Sequence, residues 1–293
     1  MKEIVVVSGK GGTGKTSVVA SFAVLCPDKV LADCDVDAAD LHLVLSPDVR
    51  RSEPFVGGQA AKIDPELCTR CGRCFEECRY GAVRAPGGGS GPYEIDPFAC
   101  EGCGVCAYVC PTGAAAMHDS VNGEWFVSRT RHGTLVHARL GIAEENSGKL
   151  ATLVRREAQQ IAEREGVPVI LVDGPPGIGC PVIASLTGAT AALIVTEPTL
   201  SGLHDLERIA EVTKLLQVPA AVCINKWDLN LEGVHRIEAW CDEKKIPIAG
   251  FIPYDTSVTA AQVEGAAVVE CSDGAAATAV TELWNRVADL FGL

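Results

Sequence analysis

Eight of the chain's fourteen cysteines fall into two copies of one spacing. The first copy is Cys68, Cys71, Cys74 and Cys78; the second is Cys100, Cys103, Cys106 and Cys110, with Pro111 next. Both read C-x2-C-x2-C-x3-C. Thiolates are ligands for iron–sulfur clusters, and a cubane 4Fe–4S cluster takes four of them, so the eight supply two clusters with none left over. Zinc sites of the C-x2-C…C-x2-C kind are the rival reading, but three thiols at two-residue gaps plus a distal fourth suit a cubane better.

A second constellation lies at the start of the chain. Gly9-Lys10-Gly11-Gly12-Thr13-Gly14-Lys15-Thr16, followed by Ser17, matches G-x-x-x-x-G-K-[ST] in full. Glycines at these positions let backbone N–H groups converge on phosphate oxygens, and the helix that follows offers its positive end. Lys15 is expected to reach the β- and γ-phosphates and Thr16 to bind Mg2+. Asn225-Lys226-Trp227-Asp228 follows an apolar run, as a base-reading N-K-x-D would. A carboxylate there suits guanine, which offers the pair of donors that adenine lacks. Adenine, with Asn225 touching the base, Asp228 only flanking it and Pro253 in the opposite wall, is the other reading, and the residues alone leave both open.

The elements that must hold these residues are legible as apolar runs. Glu3–Val7, Lys29–Asp33, Val167–Val172, Ala191–Thr196, Pro219–Ile224 and Ile248–Ile252 read as buried strands, and Glu124–Ser128 and Thr134–Leu140 as two more. Helices are expected over Lys15–Leu25 and Ser147–Glu165. Alternation of this kind predicts an α/β fold: a mostly parallel sheet covered by helices on both faces. Arg50–Gly58 reads as a Pro/Gly/charged linker. Residues 60–117 form the cysteine segment, an internal repeat in which Asp64-Pro65 and Asp96-Pro97 precede the two runs and a loop, residues 85–92, separates them. The expected organisation is a nucleotide-binding domain in two parts, 1–59 and 118–293, with a small pseudo-twofold α+β domain inserted at 60–117.

The formal net charge of -13 argues against a general nucleic-acid or anionic-membrane surface. No run of about 18 apolar residues is present, and the N-terminal run is too short for a signal peptide. With ligand-type cysteine spacing, a reducing cytoplasm fits best. Cys26, Cys223, Cys241 and Cys271 read as small buried residues, and Cys34 as a packing residue.

The early lysine gives the loop a family character. Lys10-Gly11-Gly12-Thr13-Gly14-Lys15-Thr16 resembles the deviant Walker A loop of the MinD/ParA/nitrogenase-iron-protein class, and both cysteine runs resemble a bacterial two-cluster ferredoxin, save that Arg79 replaces the proline after Cys78. Together with Asp33–Leu43, residues 144–149 and Asp173–Pro181, they make the chain similar to MinD-superfamily P-loop ATPases with an inserted ferredoxin domain. The resemblance implies that the fourth cysteine of each run ligates the other cluster, so that Cys68, Cys71, Cys74 and Cys110 form one set and Cys100, Cys103, Cys106 and Cys78 the other. It implies that Lys10 reaches a partner's nucleotide across an ATP-dependent homodimer, or a heterodimer with a related ATPase. It implies that Asp35 positions the attacking water, Asp33 helps hold Mg2+ and Asp173 is the Walker B carboxylate, with Gly177 sensing the γ-phosphate. Cys180, just after that second switch, is a candidate bridging ligand by the same resemblance, against a packed thiol. The expected activity is Mg-dependent ATP hydrolysis coupled to electron transfer through two 4Fe–4S clusters, with an unidentified redox or iron–sulfur partner protein. Cluster assembly and MinD-like positioning are the alternatives. The C-terminal segment, with Glu282 and Asp289 against Arg286, is expected to pack on the core rather than anchor in a membrane.

Overall fold

A computed structural model describes residues 1–87, 91–141 and 147–293. Gly88, Gly89 and Ser90 of the glycine-rich loop, and Glu144-Glu145-Asn146, lie outside the described residues. From the N-terminus, β1 (Lys2–Ser8), α1 (Lys15–Leu25), β2 (Lys29–Asp33) and α2 (Leu41–Leu45) lead into β3 (Asp48–Ile63). Then come α3 (Arg73–Glu77), β4 (Val83–Arg84), β5 (Glu94–Ile95), α4 (Val105–Val109), β6 (Ala115–Thr130) and β7 (Gly133–Leu140). The remainder is α5 (Ser147–Glu165), β8 (Val169–Pro176), α6 (Cys180–Leu186), β9 (Ala191–Thr196), α7 (Leu200–Leu215), β10 (Ala220–Asn225), α8 (Leu231–Lys244), β11 (Ile248–Ile252), α9 (Thr256–Val263), α10 (Val268–Cys271) and α11 (Ala275–Phe291).

The chain divides into two units. The first holds Met1–Glu53, Trp125–Arg139 and Ser147–Leu293; the second holds Pro54–Glu124 and Leu140–Asn146. Among the described residues the large sheet runs β11-β10-β9-β1-β8-β2-β7-β6-β3. The pairs from β11 through to β7 are parallel. Side chains alternate faces along a strand. Ile4 and Val6 enter one core with Phe22 of α1 and Leu283 and Trp284 of α11, while Val5 and Val7, on the opposite face, are equally buried. Burial on both faces is why β1 reads as an unbroken apolar run. The C-terminal helix spends its apolar stripe inside, with Val280, Leu283 and Val287 buried and Trp284 packed 5.0 Å from Phe22.

Two sequence expectations change. Arg50–Gly58 is not a linker but part of β3. This strand is the last in the sheet order, and an edge strand tolerates the Pro54, Arg50, Arg51 and Glu53 that an inner strand would exclude. Likewise Glu124–Ser128 is the end of the much longer β6. β6 joins β7 through Arg131-His132, a two-residue connection that only antiparallel neighbours allow.

The second unit repeats itself in its hydrogen bonds. Asp64 N–H donates to the Ala114 carbonyl at 2.8 Å, and Asp96 N–H to that of Ala82 at 2.7 Å. Each aspartate then caps the turn that follows it: Asp64 Oδ1 accepts from Glu66 N–H and Asp96 Oδ1 from Phe98 N–H. β4 and β5 pair antiparallel, Val83 opposite Ile95.

In the first unit one buried ion pair ties α5 to β1. Arg155 donates from Nε and Nη2 to the two Glu3 carboxylate oxygens at 2.5 and 2.8 Å, and from Nη1 to the carbonyls of Ala184 and Thr187. Both side chains are under a tenth exposed. Removing one partner strands the other charge away from water. Arg155→Leu is therefore expected to destabilise the protein by about 3–5 kcal/mol, and Glu3→Leu/Arg155→Leu by markedly less. Denaturant unfolding of the single and double variants checks the coupling.

Candidate functional site

Parallel strands deliver their carboxyl ends to one edge of a sheet, where α/β proteins bind ligands. Here β1 ends at the Gly9–Thr16 loop, β2 at Asp33, β9 just before Glu197, β10 at Asn225 and β11 just before Pro253, with Asp173 late in β8. The β2–β8 register sets Asp33 level with Asp173. Gly14 stands before α1 in the left-handed region (φ 92), and a Cβ there would lie 2.4 Å from Asn225 Nδ2. Only glycine combines that conformation with that approach. No side chain caps α1, so its first N–H groups face the loop. Lys15 beside them is buried.

Three carboxylates gather at this edge, and each is shifted toward its neutral form. Burial pushes Asp173 up to about 7, with Lys15 pulling it back and Asp35 and Asp40 raising it. Burial also raises Asp35 to about 6, again against Lys15. Asp33 is held well above the ordinary range by burial and by the Asp173 charge. Their hydrogen bonding differs. Asp33 accepts from Asp35 N–H at 3.1 Å and from Leu41 N–H at 3.2 Å, so it clamps the loop after β2. Asp173 is buried with neither oxygen in a hydrogen bond of normal geometry; the Thr16 hydroxyl lies near enough to lower its pKa without closing one. A buried carboxylate without a partner is costly, and a hard cation is the group that would satisfy it. The residues present fit Mg2+: Thr16 and Asp173 as donors, Asp33 behind them.

Lys10 is engaged within its own chain. Its Nζ lies 3.3 Å from Glu197 Oε2 and donates to Ser201 Oγ at 3.3 Å. Glu197 also takes Lys226 Nζ at 2.5 Å, and the two lysines keep its carboxyl below the ordinary range against the opposing effect of burial. Gln262 donates to Ser17 Oγ at 2.8 Å. Glu197, Ser201 and Gln262 were not singled out from sequence. For Glu197 a signal existed, a carboxylate directly after a buried strand neighbouring β1. Asn225 donates to the Thr13 carbonyl at 2.8 Å, and Asp228 Oδ1 accepts from Tyr254 N–H at 2.6 Å, which fixes the turn after Pro253. Gly177 N–H donates to the Ser8 carbonyl at 2.9 Å.

The cysteines sort into two cavities of the second unit. Cys68, Cys71, Cys74 and Cys110 line one. Cys78, Cys100, Cys103 and Cys106 line the other. Each therefore takes three thiols from one run and the fourth from the other. Among the described residues no three His, Cys, Asp or Glu side chains converge at the spacing of a single-ion site. A cubane stands its four thiolates around a body several bonds wide, so the cavity, not a point, is the relevant space. The donor set fits it. Cys110 is lowered to about 7 by hydrogen bonds from Ala115 and Thr112, which outweigh burial. Of the other cysteines, Cys26, Cys34, Cys223 and Cys241 are buried. Cys271 is exposed, contrary to the sequence reading, because α10 is a single short turn with Cys271 at its end. Cys180 is exposed at the start of α6.

Comparison with known proteins agrees with the sheet edge. The pattern of the CobQ/CobB/MinD/ParA nucleotide binding domain matches residues 4–268. The chain belongs to this family. It is 32% identical over 234 residues to an uncharacterized protein of Methanocaldococcus jannaschii, a match spanning 78% of this chain and 79% of that one. The cell division ATPase MinD of Pyrococcus furiosus superposes with a TM-score of 0.60 at 20% identity, covering 99% of both chains. MinD of Pyrococcus horikoshii, complexed with Mg-ADP, does so with a TM-score of 0.60 at 19% identity over 99% of this chain and 97% of that one. These structural likenesses establish the MinD-type fold.

Cation binding requires the ionised carboxylate. Since Asp173 lies near 7 and Asp35 near 6 without a cation, the Mg2+-dependent part of nucleotide affinity should rise from pH 6 to pH 8, and binding should release protons. Calorimetry in buffers of different ionisation enthalpy measures both. Asp173→Asn should flatten the slope.

Proposed function

We propose that this chain is an ATP-hydrolysing iron–sulfur protein in which nucleotide state is coupled to electron transfer through two 4Fe–4S clusters. The observation that carries the reading is the sorting of eight cysteines into two four-thiol cavities, in a chain whose sheet edge bears a complete phosphate loop. The first cluster would be held by Cys68, Cys71, Cys74 and Cys110, and the second by Cys100, Cys103, Cys106 and Cys78. Each would supply one-electron redox chemistry when bound. Residues 60–117 would thus act as an inserted ferredoxin-like domain.

At the nucleotide, the amides of Gly9–Thr16 and the start of α1 would take the phosphates, with Lys15 on the β- and γ-groups. Thr16, Asp33 and Asp173 would hold Mg2+, and Asp35 would orient the attacking water. Adenine would sit between Asn225 and the Pro253 turn. Asp228 spends one oxygen on that turn, which disfavours its use as a guanine acceptor. Lys10 would leave Glu197 to stabilise charge on a partner subunit's nucleotide, as an arginine finger does. An ATP-dependent dimer, either of two copies or with a related ATPase, follows from that role, as does a separate redox partner. The location would be cytoplasmic. No helix among the described residues is long and apolar enough to cross a membrane.

MinD-like positioning is the second reading, favoured by the likeness to cell division ATPases over nearly the whole chain. Redox titration separates the two. Anaerobically prepared protein should carry about eight irons per chain, and ATP should shift a cluster potential or the rate of reduction by a co-purified partner. Linkage makes any such shift reciprocal in nucleotide affinity. If neither quantity responds to ATP, the positioning reading takes its place. In the same protein Lys15→Ala should lose nucleotide binding. Lys10→Ala should keep binding but lose hydrolysis and nucleotide-dependent dimerisation, and a wild-type hydrolysis rate in that variant would refute the trans role.

A further inference from the structure

The two cavities are related by a sequence offset that makes their differences readable position by position. Their left-handed residues correspond: Gly72 (φ 81) to Gly104 (φ 76), and Gly81 (φ 65) to Gly113 (φ 69). One correspondence breaks the pattern. Gly102 (φ 65) has as its mate Arg70 (φ 62), a branched polar residue in a conformation that suits glycine. At Gly102 a Cβ would meet the Gln59 carbonyl oxygen at 2.1 Å, so no side chain fits there. Position 70 does carry a side chain, and it borders the first cavity between Cys68 and Cys71.

Thr69 in the first run corresponds to Glu101 in the second, and Arg73 to Val105; along α3 the trend reverses, with Glu76 and Glu77 corresponding to Tyr108 and Val109, and Arg79, next to Cys78, corresponds to Pro111. The contrast that counts is therefore the one in the cavity walls. Among the residues lining the first cavity, Arg70 alone carries a full charge; among those lining the second, Glu101 alone does. Hydroxyl side chains stand in both walls, Thr69, Tyr93 and Thr112 in the first and Tyr80 in the second, and Val83, Ile95 and Val105 give the second its larger apolar share. Cluster potentials follow local charge and hydrogen bonding to the sulfurs, because reduction adds an electron to the site. A cation and hydroxyls favour that added charge; a carboxylate and apolar walls oppose it.

We infer that Arg70 and Glu101 split the two cluster potentials, making the cluster held by Cys68, Cys71, Cys74 and Cys110 the higher of the two. The inference rests on the two-cluster reading above. With both clusters in place, the first electron taken up would be held in the first cavity. The insertion so acquires a direction, from the acidic cavity to the basic one.

Full-length protein, reconstituted anaerobically with iron and sulfide, is titrated with titanium(III) citrate under EPR detection. Two separate one-electron waves are expected. Arg70→Gly, which installs the residue of the other repeat, should lower only the upper wave, and Arg70→Lys should leave it in place. Glu101→Thr should raise only the lower wave. Each variant should keep about eight irons, which a purely structural role for these side chains would not preserve. Coincident waves, or waves indifferent to both positions, overturn the inference alone. Fewer than two clusters in the wild-type protein overturn it together with the reading beneath it.

Discussion

Burial of carboxylates around one lysine is the constraint on which the nucleotide half of this molecule depends. Asp173 and Asp33 lie level on adjacent central strands, with almost no solvent contact. Charges in such a place are costly unless something answers them. Lys15 answers in part, and two backbone N–H groups answer Asp33. Asp173 is left with unfilled acceptor capacity, which is how a site prepared for a cation differs from a finished structural network. The parallel sheet sustains the arrangement because its strands are buried on both faces and cannot shift without exposing apolar surface.

The lysines of the loop divide their work through burial. Lys15 is enclosed at the start of α1, whereas Lys10 remains about a third exposed and is held by Glu197 and Ser201. A partly exposed ion pair of this kind is weak, so it restrains Lys10 without committing it. The same Glu197 carboxylate also binds Lys226, whose neighbour Asn225 supports the loop at Thr13. The first lysine, the end of β9 and the end of β10 are thus joined through one acidic side chain, so a change at the nucleotide has a route to α7.

The second unit obeys a different economy. It has little apolar core of its own: Phe75, Tyr80, Phe98 and Tyr108 are all exposed. Its order comes from paired turns, the Asp64 and Asp96 caps and left-handed glycines, which place thiols around two cavities. Small units of this kind commonly rely on metal groups or cross-links to make up for a thin core.

Much of this was legible in the chain. Strand and helix positions around the loop follow from apolar runs buried on both faces, and the loop itself from glycine chemistry. The resemblance to a two-cluster ferredoxin groups Cys68, Cys71, Cys74 and Cys110 against Cys100, Cys103, Cys106 and Cys78, and the two cavities are lined by the same groups. What sequence misread was the edge and its neighbour: β3, last in the sheet order, carries proline, glycine and charge because an outer strand need not be apolar, and the first part of β6 beside it carries glycine and charge. Cys271 was misread for a related reason, since the exposure of a one-turn helix depends on its packing. Glu197 belongs to no sequence motif, and the two lysines it pairs with, Lys10 and Lys226, come from distant segments of the chain. Local sequence determines what a residue can do and which elements form. Only tertiary structure decides which strand is the edge, which carboxylate goes unpartnered and which wall residue stands beside which thiol, because those depend on contacts between segments far apart in the chain.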